Sequence, residues 1–302
     1  MFVLAHLSDP HLGPLPRPRV SELASKRLLG YLNWQRGRRA VHRGDVLDAI
    51  VHDLRDARPD HVAVTGDLVN IALPAEFERA RHWLETLGPP DDVSLVPGNH
   101  DAYVRAAALE RDRHWAPYMT GDTGTATFPY VRRRGPVALV GLSTAVATPL
   151  FMATGRLGAE QIARAQAVLA ELGAARFFRV VMIHHPPGAS PSCHKRLIDA
   201  AEFRHAIAAA GAELVIHGHD HVHERHTIPG RDADGAMIDV PVIGVPSASA
   251  SAGGRHQAAA YNLYRIDGAP GAFACTVVSR GLTASGAIAE INRFELSWRR
   301  PD

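Results

Sequence analysis

The chain has 302 residues, of which 46% are hydrophobic and 21% charged, and it carries a formal net charge of +2. This composition excludes a disordered chain, and the near-neutral charge argues against nucleic acid as a partner. No stretch approaches 18 uncharged apolar residues, and the first residues lack the basic and apolar regions of a signal peptide. The two cysteines have no metal-type spacing, so a cytoplasmic enzyme is expected.

Short apolar runs alternate with amphipathic segments over most of the chain. The predicted strands are residues 2–7, 61–65, 93–96, 137–142, 177–183 and 213–216, and the predicted helices are residues 44–57, 73–88, 159–173 and 199–211. This alternation indicates parallel strands joined by crossover helices in a single domain that spans residues 1–302. The loops around 120–135 and 228–240 are predicted to be irregular. Residues 240–302 have a pattern of strands and turns, and we expect this β-rich part to complete a second sheet.

Residues 14–44 form a basic and aromatic insertion that begins soon after the first predicted strand. Between Arg17 and Arg43 there are eight Lys or Arg and one acidic residue, with Tyr31 and Trp34 among them. One interpretation is an exposed helical hairpin whose apolar side packs on the body of the protein. The other is a lid that binds an anionic substrate through its Arg side chains. Contact with a membrane surface is a weaker alternative, and nucleic-acid binding is weaker still.

Polar side chains follow five of the predicted strands at the point where each strand ends. They are Asp9 and His11, Asp67, Asn99 with His100 and Asp101, His184 with His185, and His219 with His221. The carboxyl ends of strands in an open α/β sheet converge on a crevice, so we expect these groups, on five strands of one sheet, to meet there. Carboxylates and imidazoles without a thiolate suit Mn, Fe, Zn, Co or Ni. Seven such ligands are too many for one ion and suit two ions that share a carboxylate.

The ordered motifs DPH, GDLVN, GNHD, HHPP and GHDH resemble those of the calcineurin-like metallophosphoesterase superfamily. The resemblance covers residues 9–221 and is strongest to the bacterial branch of class III cyclic-nucleotide and glycerophosphodiester phosphodiesterases. It implies an α/β fold, a four-layer αββα sandwich with two mixed β-sheets. It also implies a dinuclear metal site at the C-terminal ends of the strands, with two divalent or trivalent transition-metal ions, of which Mn, Fe or Zn are expected.

The same resemblance implies a role for each motif residue. One ion would be held by Asp9, His11 and His221, the other by Asn99, His184 and His219, with Asp67 as the bridge between them. His100 would lie close to the phosphate without ligating either ion. The catalytic residues implied in this way are His100 and Asp67.

The activity implied is that of a phosphodiesterase acting on a small anionic phosphoester, such as a cyclic nucleotide or a glycerophosphodiester. A metal-bound hydroxide would attack phosphorus directly. The alternatives are hydrolysis of a lipid-linked or nucleotide pyrophosphate, a phosphomonoesterase, and a metal-binding interaction scaffold without activity. The scaffold is disfavoured because every ligand position holds a residue of the expected type. An edge strand of the β-rich part leaves a homo-oligomer open.

Some polar residues near the motifs have two interpretations. Asp101 would either orient His100 or cap the helix that follows it. His185 would either support a ligand or pack beside the next proline, and His42 is expected to be ordinary. In the stretch HGHDHVHE, His217 and His223 are expected to flank the site without ligating a metal.

Overall fold

The computed structural model describes residues 1–188, 192–252, 257–269 and 272–298, and its described strands form two sheets. In chain order the strands are β1 (Phe2–Leu7), β2 (His61–Val64), β3 (Val93–Leu95), β4 (Tyr130–Arg134), β5 (Val137–Gly141), β6 (Phe178–Met182), β7 (Leu214–His217), β8 (Glu224–Arg231), β9 (Met237–Gly244), β10 (Ala260–Ala269), β11 (Ala272–Leu282) and β12 (Ile288–Glu295). The helices are α1 (Arg27–Asn33), α2 (Arg39–Val41), α3 (Gly44–Asp56), α4 (Pro74–Leu87), α5 (Ala107–Trp115), α6 (Ala159–Ala174) and α7 (Ala200–Ala210). A π-helical turn (Trp34–Arg38) joins α1 to α2.

Each sheet has six strands and mixes parallel with antiparallel pairs. The first has the order β12-β11-β10-β1-β2-β3, in which β1, β2 and β3 are parallel. The second has the order β4-β5-β6-β7-β9-β8, in which the two outer strands are antiparallel to their neighbours. The five strands that precede the polar clusters therefore belong to two sheets, and the expectation of one sheet was wrong.

The two sheets pack face to face, as the alternation of side chains along β6 indicates. Val180 and Met182 belong to the core between the sheets, whereas Val181 packs in the core beneath α6 and α7. The first sheet is covered by α3 and α4, which contribute buried residues such as Ile50 and Phe77. The order of layers is helix, sheet, sheet, helix, which confirms the predicted four-layer αββα sandwich.

The β-rich C-terminal part is divided between the sheets rather than confined to the second. Only β9 joins the second sheet, while β10 pairs with β1 and carries β11 and β12 outward from it. Leu4 of β1 faces Tyr264 of β10, and both side chains are completely buried. These two strands are far apart in the chain and pair because their apolar side chains are buried together. The local sequence pattern of either strand does not specify its partner.

Residues 228–240 form no irregular loop, contrary to expectation, because most of them lie in the β8–β9 hairpin. The sequence pattern does not predict this strand because it contains Pro229 and Gly230, which are both rare within strands. Proline is tolerated there because β8 is an edge strand of the second sheet. Residues 120–135 likewise contain a strand, β4, at the opposite edge.

The insertion is anchored to the body by a small apolar cluster. Trp34 is 5% exposed and packs with Leu15, Ile71 and Leu73. The apolar side of the insertion is thus only partly covered, because three further leucines stay exposed, namely Leu28, Leu29 and Leu32. None of the described helices combines the length and the apolar character that crossing a membrane requires.

Candidate metal centre

Five of the seven predicted ligands have a left-handed backbone conformation. They account for most of the nine described non-glycine residues with positive φ, and their angles are 53° at Asp9, 40° at His11, 55° at Asp67, 72° at His219 and 56° at His221. Such a conformation costs on the order of 1–3 kcal/mol for each residue and persists where the surrounding fold imposes it. The strain is therefore concentrated at the residues that the motifs single out.

Glycines allow the ligand loops to approach one another closely. A Cβ on Gly98 would lie 2.7 Å from Cε1 of His184, and one on Gly66 would lie 2.8 Å from Nδ1 of the same ring. A Cβ on Gly218 would clash with the carboxylate of Asp9. Any other residue at these positions would push the ligands apart.

One half of the site contains Asp9, His11 and His221. Nε2 of His221 lies 3.1 Å from Oδ1 of Asp9 and 3.3 Å from Nε2 of His11. Nε2 of His11 lies 3.9 Å from Oδ2 of Asp67. The side chains of Asp9 and His11 are fully buried, and that of His221 is 12% exposed.

The other half contains Asn99, His184 and His219. Nε2 of His184 lies 3.3 Å from Oδ1 of Asn99 and 3.5 Å from Oδ2 of Asp67. The ring of His219 is 5.2 Å from that of His184, centroid to centroid, and its backbone N–H donates to Oδ2 of Asp9 at 3.0 Å. Asp67 lies between the two halves, because the same carboxylate oxygen approaches both His11 and His184.

Hydrogen bonds to backbone carbonyls orient two of the imidazoles. Nδ1 of His184 donates to the carbonyl oxygen of Thr65 at 2.6 Å, and Nδ1 of His11 lies 3.3 Å from that of Val69. With Nδ1 engaged in this way, Nε2 is the ring atom directed to the space between the ligands, and in His184 a bound metal ion would replace the proton on that atom. This is the usual orientation of metal-ligating histidines.

The charges in the site favour cations. Burial by itself would lower the pKa of His184, but the carboxylates of Asp67 and Asp9 raise it to about 10. Although burial opposes ionisation, the His184 charge holds the pKa of Asp67 well below its ordinary value, and His221 lowers that of Asp9. Two anionic carboxylates, an amide oxygen and imidazole nitrogens at these separations fit a pair of transition-metal ions that share Asp67.

His100 lies beside this cluster and contacts Asp67 through its backbone. Its N–H donates to Oδ1 of Asp67 at 2.7 Å, and its Nδ1 lies 2.5 Å from the carbonyl oxygen of Asn70. Burial, together with the charge of Arg38, lowers the pKa of His100 to about 4. The ring is therefore neutral near pH 7 before an anionic ligand binds in the cavity.

Asp101 has neither of the roles that the sequence suggested. It does not cap α5, which begins at Ala107, and its carboxylate is directed to backbone N–H groups rather than to His100. It is fully buried and accepts hydrogen bonds from four of these groups, at Asp67 (2.8 Å), Leu68 (2.9 Å), Val69 (3.2 Å) and Gly98 (2.9 Å). Through these hydrogen bonds Asp101 connects the loop that carries Asp67 to the loop that carries Asn99.

Two residues of the insertion enter the site, and sequence reasoning singled out neither. The guanidinium of Arg38 lies 3.0 Å from Nε2 of His100 and 3.0 Å from Nε2 of His11. The ring of His42 is 4.5 Å from that of His11, and its Nδ1 is 2.9 Å from the hydroxyl of Ser249. No spacing distinguishes Arg38 from the other basic residues of the insertion, so the sequence holds no signal for this contact.

The remaining histidines of the motifs lie outside the cluster of predicted ligands. Both ring nitrogens of His185 form hydrogen bonds within the protein. Nδ1 lies 2.7 Å from the hydroxyl of Thr144, and Nε2 lies 3.1 Å from the carbonyl oxygen of Ala153. His217 is buried with Nδ1 3.0 Å from the carbonyl oxygen of Gly218, and His223 is exposed. The side chain of His185 thus positions residues 144–153 beside the metal centre.

The cluster opens into a cavity of about 580 Å³. Besides predicted ligands and His100, its walls include three cationic side chains, those of Arg36, Arg38 and Lys195. The acidic residues in the wall are Asp67 and Asp220. Cationic side chains around a cavity favour an anionic ligand.

Residues 2–223 match the family model described as calcineurin-like phosphoesterase. The chain belongs to this family. The superfamily inferred from the motifs is thereby confirmed, and membership in this dinuclear-metal-dependent family supports a dimetal phosphoesterase.

Two curated relatives are phosphodiesterases by name. The chain is 34% identical over 121 residues to glycerophosphodiester phosphodiesterase GpdQ of Enterobacter lignolyticus (strain SCF1), covering 40% of this chain and 36% of that protein. It is 28% identical over 180 residues to a probable cyclic nucleotide phosphodiesterase of Synechococcus sp., covering 57% of this chain and 62% of the relative. In both cases the match spans less than two thirds of the relative's length.

Solved calcineurin-like structures share the fold over nearly the whole chain. A dimetal phosphatase from Danio rerio superposes with a TM-score of 0.61 at 14% identity, over 99% of both chains. Purple acid phosphatase PPD1 from yellow lupin gives a TM-score of 0.60 at 14% identity, over 98% of this chain and 53% of its own. At this identity the likeness concerns the fold alone.

Proposed function

We propose that the protein is a dinuclear-metal-dependent phosphodiesterase that hydrolyses a small phosphodiester in the cytoplasm. The observation that carries the proposal is the convergence of seven donor side chains, five of which line one cavity together with His100 and Arg38. The other two, Asp9 and His184, lie behind that wall in contact with His221 and Asp67. The names of the two curated relatives support the preference for a diester.

Each half of the site would provide the ligands of one metal ion. Asp9, His11 and His221 would hold one ion, Asn99, His184 and His219 the other, and Asp67 would be shared. Bound ions, with Mn, Fe or Zn expected, would withdraw charge from the phosphoryl group and lower the pKa of a coordinated water toward about 7.

His100 and Arg38 would act on the phosphoester itself. The Arg38 guanidinium would bind a phosphoryl oxygen, which neutralises the charge that now lowers the pKa of His100. An anionic substrate in the same cavity favours the charged imidazole, so the pKa of His100 rises when substrate binds. His100 would then donate its proton to the departing alkoxide, a step typically worth on the order of 10²–10⁴ in rate.

A second candidate is a substrate with more negative charge, such as a phosphomonoester or a pyrophosphate. It is favoured by the three cations in the cavity wall, Arg36, Arg38 and Lys195, because a diester carries only one negative charge. The two candidates are separated by comparing kcat/KM on an aryl phosphodiester and the matching aryl monoester, with metal-loaded protein. We expect the diester to be preferred, and a clear preference for the monoester would replace the first candidate by the second.

Two variants test the assignment of roles. We expect His100→Ala to retain both metals and to lose about 10²–10⁴ in turnover, because it removes the proton donor and no ligand. Asp67→Ala should lose metal and turnover together. Metal content of the purified variants is the measurement, and a metal-free His100→Ala protein would refute the assignment. Absence of both metal and activity in the unaltered protein, even with Mn added, would favour an interaction scaffold.

A further inference from the structure

A second cavity of about 170 Å³ adjoins the metal centre. It lies between residues 26–33 of the insertion and residues 148–153, and we call it the apolar cavity. It shares Asn99 and His100 with the cavity of the metal centre, so a group bound there lies directly beside the phosphoryl group. Whole small ligands occupy roughly 300–1,000 Å³, so the apolar cavity has room for one part of a substrate.

The walls of the apolar cavity are mainly hydrocarbon. They include five apolar side chains and the ring of Tyr103, and the apolar residues are Leu29, Pro149, Leu150, Phe151 and Met152. The two walls are joined by Lys26, whose ammonium group donates to the carbonyl oxygen of Thr148 at 2.8 Å. The cavity is therefore a defined space between two connected segments.

The two segments that form this cavity contain many of the exposed apolar residues. In the described part of the chain, eleven large apolar residues are exposed, five of them lie within residues 26–33 or 148–153, and three of those five line the cavity. Leu29 is 38% exposed, Leu150 48% and Phe151 83%. Exposed apolar residues are usually scattered singly, and a concentration of them indicates a surface that binds an apolar partner.

The backbone conformation of Phe151 is a second observation that indicates a ligand-binding surface. Its φ is +64°, a left-handed conformation that bulky residues seldom adopt. An aromatic side chain that is largely exposed contributes little to the core, so folding gives no reason to maintain strain at this position. Strain of this kind is commonly retained where a residue contacts a ligand.

Three polar side chains of the cavity wall, those of Lys26, Tyr103 and Thr148, contact other groups of the protein. The ring of Tyr103 stacks on His100 at 5.7 Å with an interplanar angle of 17°, and the Lys26 ammonium lies 4.4 Å from its centroid. The hydroxyl of Thr148 donates to the carbonyl oxygen of Met152 at 2.6 Å. An aliphatic chain needs only apolar area, which Leu29, Leu150 and Phe151 offer in this cavity.

We propose that the apolar cavity binds an alkyl or acyl chain that forms one ester arm of the substrate. The substrate class is then an anionic phosphodiester with one aliphatic arm, and the other arm lies in the cavity that contains Arg38 and Lys195. This inference rests on the proposed phosphodiesterase activity and specifies which substrates that site prefers.

The test is a series of methyl, butyl and hexyl 4-nitrophenyl phosphodiesters with the metal-loaded protein. The leaving group is the same throughout, so differences in kcat/KM report how the alkyl arm is bound. We expect kcat/KM to rise along the series, by up to about fourfold for each methylene group that the cavity buries.

Variants locate the effect in the apolar cavity. Leu29→Ser and Phe151→Asn should bring the ratio of hexyl to methyl kcat/KM close to one. Leu109→Ser is the matched control, because Leu109 is 77% exposed on α5 and does not line the cavity, and it should keep the ratio of the unaltered protein. Thermal midpoints of the three variants establish that each is folded.

Three results would overturn the inference. If the diesters are hydrolysed with no dependence on chain length, the apolar cavity binds no substrate arm while the proposed activity stands. A chain-length dependence that survives both cavity variants places the binding elsewhere. Hydrolysis of none of the three diesters by the metal-loaded protein would refute the phosphodiesterase and the substrate arm together.

Discussion

Arg38 is the residue through which the insertion reaches the metal centre. Its two terminal nitrogens lie 3.0 Å from Nε2 of His100 and 3.0 Å from Nε2 of His11, although the residue is many positions away from either motif. A guanidinium offers two parallel N–H donors, which match the oxygens of a phosphoryl group. The insertion therefore contributes charge to the site as well as covering it.

We expect Arg38→Ala to lower kcat/KM on the aryl diester by about 10- to 100-fold, mainly through KM, since a charge-assisted hydrogen bond is worth about 1.5–3 kcal/mol. Arg38→Lys should recover only part of the loss, because Lys keeps the charge and lacks the fork. Steady-state kinetics of both variants make the measurement. Arg39→Ala, at the exposed neighbouring position, is the control. Unchanged KM and kcat in Arg38→Ala would show that Arg38 does not bind substrate.

Asp101 acts on the site through the backbone. Because its carboxylate accepts four N–H groups from two ligand loops, Asp101→Ala would leave four buried donors unpaired. We expect the free energy of unfolding to fall by about 3–5 kcal/mol and metal affinity by about 10- to 100-fold. Urea denaturation and metal titration measure the two effects. Asp45→Ala, which removes an exposed carboxylate paired with Arg43, should change neither by much.

At the scale of secondary structure, one buried ion pair holds several elements in place behind the site. Arg179 of β6 bonds Glu213 at 2.6 and 2.9 Å, and both side chains are almost fully buried. The same guanidinium donates to carbonyl oxygens of Leu169 in α6, Ala210 in α7 and Arg231 in β8. Since β6 leads directly to His184, this pair fixes the position of a predicted ligand.

Breaking the pair should be costly. We expect Glu213→Ala to lower the free energy of unfolding by about 3–5 kcal/mol, because it leaves a buried charge without a partner. Combining it with Arg179→Met should cost less than Glu213→Ala alone, since no unpaired charge then remains. Equilibrium denaturation measures both. Glu85→Ala, which breaks the partly exposed pair with Arg81, is the control and should cost less than about 1 kcal/mol. A single variant as stable as the unaltered protein would contradict this account.

At the scale of the whole molecule, the metal centre joins the two halves of the sandwich. Asp9, Asp67 and Asn99 follow strands of the first sheet, whereas His184 and His219 follow strands of the second. An ion held from both sheets would bind the folded chain and not the unfolded one. Metal binding should therefore stabilise the whole fold.

We expect the thermal midpoint of chelator-treated protein to rise on addition of Mn, Fe or Zn. Metal at 100 times its Kd adds about 2.7 kcal/mol, which corresponds to roughly 5–10 °C for a domain of this size. His184→Ala should abolish the rise, while His205→Ala, an exposed histidine on α7, should not. A midpoint that responds to none of the three metals would contradict a metal centre between the sheets.

The sequence by itself determined what local signals encode. Helices such as α4 and α6 agree with their predicted ranges within a residue or two, because a 3.6-residue period over a long segment is a strong signal. The motifs that contain Asp9, Asp67 and His219 specified the family, and the structure brings their side chains together. Their roles as ligands stay predictions.

Only the tertiary structure decided which distant segments meet. It assigned β10 to β1, divided the ligand strands between two sheets, brought Arg38 to His100, and directed Asp101 to four backbone N–H groups. None of these has a local signature, because strand partners and side-chain contacts depend on burial shared between segments far apart in the chain. Periodicity and turn residues specify secondary structure over a few positions. The packing of the two sheets determines where in space the loops that carry the predicted ligands lie.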